Sequence, residues 1–140
     1  MSYTTVEAGV QAIIQGLDAF SSADVTLGDY RVLDSGGAPY VVLKPGRFEH
    51  APETFSDFWT EWTVNIDLFV KFWGDGTEYT NIKTNMQAIL DAFDASTTLS
   101  VTGVVFAYIS GGEEPRQVYD KDGNGPFFLL QTLTLQAREK

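Results

Sequence analysis

The sequence predicts an α+β domain: an antiparallel or mixed β-sheet with two main helices packed on one face. Three observations lead there. Residues 3–20 and 77–93 each repeat apolar side chains at helical spacing. Residues 59–73 alternate apolar and polar with period two, and shorter extended runs surround them. The order is helix, strands, long strand, helix, strands, so helices do not follow every strand as in a parallel α/β fold.

Residues 3–20 form the first predicted helix, with Val6, Val10, Ile13, Ile14 and Leu17 on one face. Thr4 followed by Glu7 is a capping-box signature. Gly16 weakens the last turn, and Ser21-Ser22 ends it. Residues 29–34 and 40–44 read as two strands of a hairpin, turned by Ser35-Gly36-Gly37-Ala38-Pro39 and closed by Pro45-Gly46. Residues 47–58 read as a long irregular connection with edge-strand character, given Pro52 and scattered charges. In 59–73, Trp62, Val64, Ile66, Leu68, Val70 and Phe72 share one face. Thr63, Asn65, Asp67 and Lys71 share the other, with Phe69 as an exception. One face therefore meets a core and the other is mostly wet.

Asp75 is the expected cap of the second helix, with Glu78 in its first turn. Its stripe is Tyr79, Ile82, Met86, Ile89, Leu90 and Phe93, and it ends over 94–98. Both helices close on the same letters, Leu-Asp-Ala-Phe at 17–20 and 90–93, as expected of two helices on one sheet. Residues 99–110 are apolar on both faces. That predicts a central strand, or one with a face on the helices and a face on another subunit. Residues 116–119 form a short strand. Residues 127–137 form the last, with Phe127, Leu129, Leu133, Leu135 and Ala137 on one face.

All 140 residues are expected to make one domain. At this size roughly 68% of the unfolded surface becomes buried, so no covalent staple is required. A hydrophobic content of 44% excludes a disordered chain. No apolar run approaches the ~20 residues of a membrane-spanning helix. The opening MSYTTVEAGV lacks the basic region and apolar core of a signal peptide, so the expected origin is cytoplasmic. The chain has no cysteine, which removes disulfides, thiolate chemistry and cysteine-based zinc sites. Nine basic residues against 19 acidic ones give a charge of −10. That balance opposes docking on DNA or anionic membranes. It fits an acidic solvated surface, or one that meets a basic partner or lines a pore.

Chemical motifs are sparse. In YDKDGNGPFFLL, Asp120, Asp122, Asn124 and Gly125 match positions 1, 3, 5 and 6 of a calcium loop. Position 12, which should supply a bidentate carboxylate, is Gln131, and the flanks read as strands rather than helices. Asp-Gly and Asn-Gly are strong hairpin turns, so Asp120, Asp122 and Asn124 are candidates for no more than a surface calcium contact. His50 is the sole histidine and sits among Glu49, Pro52 and Glu53, a solvated setting for a general base. Asp57, Glu61 and Asp67 stand out only by abundance. SGGAP and SGGEEP lack the lysine of a phosphate loop. The sequence therefore offers no catalytic residue and calls for no cofactor. The aromatic group Phe55, Phe58, Trp59, Trp62, Phe69, Phe72 and Trp73 fits a ligand pocket, a core or a subunit interface.

Five stretches taken in order carry a family resemblance: VEAGVQAIIQGLDAF, VVLKPG, EWTVNIDLFVKFWG, DGTEYTNIKTNMQAILDAF and FFLLQTLTLQAR. In order and size they resemble the tail terminator (tail completion) proteins of long-tailed bacteriophages. The resemblance implies a non-enzymatic virion protein, assembled in the host cytoplasm and located in the tail or neck. It implies a ring, commonly a hexamer, that caps the tail tube and joins tail to head. Its partners would be itself, the tail tube protein and the head-tail connector protein, with DNA passing through the lumen without specific binding. Candidate contact residues are Arg47, Phe48, Glu53 and Phe55 in the irregular segment, Tyr108 on the third long strand, and Glu113, Glu114 and Arg116 after it. Two other readings stand beside this one: a small-molecule-binding or enzymatic α+β cone with an aromatic pocket, and another neck or head-tail completion protein. A monomeric accessory protein is a further reading.

Overall fold

The computed structural model describes residues 2–20, 24–27, 39–119 and 126–139. They form α1 (Tyr3–Gln15), β1 (Val25–Leu27), β2 (Tyr40–Pro52), β3 (Phe58–Lys71), α2 (Thr77–Asp94), β4 (Val104–Gly112), β5 (Arg116–Tyr119) and β6 (Pro126–Glu139). One mixed sheet runs in the order β1-β2-β3-β6-β4, with β5 also on β6. β1 lies parallel to β2, and the other pairs are antiparallel. β4 pairs with the later half of β6 and β5 with the earlier half, so the two follow one another along the same side.

The alternating residues of β3 and β6 put one face of the sheet under the helices. Val6, Val10 and Ile14 of α1 and Ile82, Ile89 and Phe93 of α2 pack on Val64, Ile66, Leu68, Leu133 and Leu135. Each such side chain contributes about 1.5–3 kcal/mol of burial. The opposite face is drier than the alternation implies. Phe69, the exception in the pattern, joins Val42, Phe128 and Leu130 in a second cluster there. Asp67 is buried beside it, accepting a hydrogen bond from the Thr132 hydroxyl at 2.6 Å, with the Lys44 ammonium 3.7 Å away. From Asn65 towards Trp59 the residues of that face of β3 are half-buried.

Four expectations are corrected. The strand at 40–44 has β1 and β3 as its neighbours; its expected partner at 29–34 lies outside the described residues. The segment 47–58 is not an irregular connection, because β2 runs through it to Pro52 and pairs with β3. A bulge between Pro45 and Phe48 sets Gly46 and Arg47 against the single residue Thr63. A side chain at Gly46 would come within 2.8 Å of Thr63 Cγ2, so the glycine allows the close approach. Both faces are wet there, so no apolar alternation marks the strand. The third long strand begins at Val104, not at 99, and it lies at the sheet edge, not at the centre. Leu99 and Ser100 adopt φ of 55° and 52°, a turn that plugs buried Leu99 into the core. A bulge at Val105 then shifts the parity, leaving Val104 and Ala107 inward and Phe106 and Tyr108 outward.

The helix ends differ in detail. α1 stops at Gln15 and has Ser2 at its N-cap position with no side-chain capping bond, and the Thr4–Glu7 box is not formed. Glu7 is instead buried. Gly76 (φ 92°) occupies the N-cap of α2, and the Asp75 carboxylate accepts the Thr77 amide at 3.0 Å. Buried Glu78 accepts the Trp73 amide at 3.2 Å, tying the helix start to the end of β3.

Candidate functional site

Beyond the row that pairs Phe48 with Trp62, no residue of 49–58 is buried. The pairs Ala51 with Trp59 and Pro52 with Phe58 continue past the last β3–β6 pair, Thr60 with Glu139. The hairpin is thus an arm. Its root is fastened by Trp62 Nε1, which donates to Glu139 at 2.7 Å, and by the edge of Tyr3 against Trp62 at 6.1 Å. Phe48 also packs on Trp62, with ring centres 5.6 Å apart. Along the arm His50 Nδ1 bonds the Thr60 hydroxyl at 2.7 Å, and the imidazole stacks flat on Phe58 at 5.1 Å.

The tip is a turn held by its own polar groups. The Glu53 and Thr54 amides donate to the Asp57 carbonyl at 2.8 and 3.1 Å. The Thr54 hydroxyl accepts the Asp57 amide at 3.1 Å and donates to the Asp57 carboxylate at 3.3 Å. Phe55 sits between them with a relative exposure of 108%, and Phe58 below it is 48% exposed. With Pro52, Glu53 and Thr54 these two rings line an open depression of about 480 Å³.

The eight candidate contact residues fall in three places. Arg47, Phe48, Glu53 and Phe55 belong to the arm. Tyr108 is on the outer face of β4, its hydroxyl donating to Gln136 at 2.8 Å and its ring 5.5 Å from Phe106. Glu113, Glu114 and Arg116 are exposed around the β4–β5 junction, where the Glu113 amide bonds the Thr132 carbonyl. That junction stands level with Asp67, at the opposite end of β3 from the arm tip. Arg47 and Glu49 line a shallow depression of about 350 Å³ with Glu61, Thr63, Asn65 and Gln136. Asp120, Asp122 and Asn124 lie outside the described residues, and among the described residues no group of acidic or histidine side chains could hold a metal.

The aromatic group that fits a pocket, a core or an interface is dispersed. Trp62 faces the helices, Phe69 belongs to the second cluster, and Trp73 lies under the Lys71 ammonium at 4.1 Å. Trp59 carries the Arg138 guanidinium at 4.5 Å on the outer face. Two features escaped the sequence reading. Val105, Phe106 and Tyr108 form an exposed band because of the Val105 bulge, which no letter marks. Glu49 stands directly opposite Glu61, visible only once the register is known.

No family model matches the chain, and no curated protein does. The fold is similar to that of a chain from the virion of a native gene transfer agent (GTA) particle. That likeness has 17% identity and a TM-score of 0.55, and it covers 99% of this chain and 98% of the other. A second solved structure is similar at 11% identity and a TM-score of 0.51, over 98% of this chain and 96% of that one. At such identities the likeness is one of fold.

Proposed function

We propose that the protein is a non-enzymatic structural subunit of a tailed, phage-like particle, and within it the tail terminator. The observation that carries this reading is the end-to-end likeness of fold to a virion chain, with almost no residue of either chain left over. The order of sequence elements supports the same family. In this role copies form a closed ring, a hexamer, that caps the tail tube, joins it to the head-tail connector and lets DNA through. A closed ring needs two different surfaces on each copy that meet on rotation. The exposed band Val105, Phe106 and Tyr108 at the β4 edge supplies one apolar surface of the required kind. The acidic balance of the chain suits a lumen through which DNA slides without adhering. The pocketed-cone reading draws no support from the dispersed aromatic side chains.

Light scattering on a sizing column, with and without tail tubes, tests the proposal. The expected species is a ring-sized oligomer, either free or formed on the tubes. A monomer under both conditions refutes it.

A further inference from the structure

We propose that the β2–β3 arm is a docking element for a different protein, inserting Phe55 into an apolar socket with a basic rim. The inference rests on the terminator reading for the identity of that protein, the tail tube subunit.

The turn spends its hydrogen bonds on holding its shape around an outward phenyl ring. Thr54 and Asp57 bond each other reciprocally, and both strands of the turn close on the Asp57 carbonyl. An aromatic side chain fixed in advance in its bound position loses little entropy on docking, which is the character of an anchor. Phe58 and Pro52 extend the apolar surface behind it.

Charge selects the occupant. Glu53 and Asp57 flank Phe55, and Glu49 faces Glu61 across the arm. Glu61 is also paired with Arg138 of β6, so the acidic excess of the arm is greatest at its tip, around Phe55. Among the described residues, a second copy presents no cluster of cations. Among the described residues Lys44 is held by Asp67, Lys71 by Trp73 and Arg138 by Trp59. Arg47, Lys83 and Arg116 are on three separate elements. Each copy also carries a charge of −10, so the acidic tip is repelled from its own kind.

The test sediments wild type, Phe55→Ser and Glu49→Lys with tubes assembled from the tube protein of the same particle, at several salt concentrations. Ring mass and melting temperature are recorded for each variant. Wild type is expected to pellet with the tubes. Phe55→Ser should bind about thirtyfold more weakly, the loss typical of an anchor. Glu49→Lys should bind about threefold more weakly at low salt, with the difference fading at high salt. Ring mass should not change in either variant; the melting temperature should not change in Phe55→Ser, and Glu49→Lys, which turns a like-charge pair into an opposite-charge one, should melt no lower than wild type. Unchanged binding by both variants overturns the arm and leaves the terminator reading intact. Loss of ring mass in Phe55→Ser also overturns it, because the phenyl would then sit on a second copy. Wild type that leaves the tubes bare overturns the terminator reading and the arm with it.

Discussion

Gly9 lies on the buried face of α1, where the turn before β4 crosses it. A Cβ at this position would stand 2.6 Å from Val101 Cγ2 and 3.4 Å from the Leu99 Cβ and carbonyl oxygen. Carbon atoms settle at about 3.5–4.0 Å, so Gly9→Ala demands a shift of about 1 Å. Val101 is β-branched and stiff at χ1. Leu99 behind it is fully packed in a positive-φ turn and has nowhere to retreat. Overpacking of this kind costs about 1–3 kcal/mol, and the better helix propensity of alanine offsets up to about 1 kcal/mol. The expected net loss is about 1–2 kcal/mol. Val101→Ala removes the clashing methyl, so in that background Gly9→Ala should be neutral or stabilising by up to about 1 kcal/mol. Urea denaturation of the four proteins closes the cycle, with an expected coupling of about 2 kcal/mol. Effects that add to within about 0.5 kcal/mol would show that the turn does not touch the helix, and would refute the packing of 99–103 described above.

Three further outcomes follow from single residues. Ser100 is exposed at φ 52°, so Ser100→Gly should stabilise by about 0.5–1 kcal/mol in the same assay, and a loss contradicts the turn. Glu78→Ala leaves the Trp73 amide without its acceptor and should cost about 1–3 kcal/mol, whereas Glu78→Gln keeps an acceptor and should cost less; equal losses contradict the bond. The Tyr3 hydroxyl is buried without a hydrogen-bond partner, and burial, with the Glu7 carboxyl second, pushes its ionisation well above the usual phenol range. The native state therefore holds the phenol proton where the unfolded chain releases it, and stability falls as pH rises above about 10. Tyr3→Phe should match or slightly exceed wild type at neutral pH and unfold at higher pH in an alkaline titration; an unchanged alkaline midpoint contradicts the burial.

What was legible in the sequence follows from which residues have one dry face and one wet face. Both helices have that asymmetry, and so do the halves of the strands at 59–73 and 127–137 that lie away from the second cluster, so their apolar residues repeat at the right period. The arm has none, because Arg47, Glu49 and His50 meet solvent on either side of the sheet plane. β1 is three residues long and pairs in parallel, too short for any period. The turn at 99–103 misleads in the opposite direction: Leu99 and Val101 are apolar because they plug the core from a turn, and they read as strand. The contact candidates were legible as unusual residues but not as surfaces. Phe55 has the same letter as a core phenylalanine, and only the bonded Thr54–Asp57 turn sets it apart. Glu49 and Glu61 become a pair only through the β2–β3 register.

Negative-stain electron microscopy of the purified protein mixed with tail tubes of its own particle bears most directly on the central claim. The expected result is a ring of this protein seated on one end of each tube, with tube ends left bare when the protein is omitted. Tubes bare at both ends in the presence of the protein, with the protein dispersed as single copies, would contradict it.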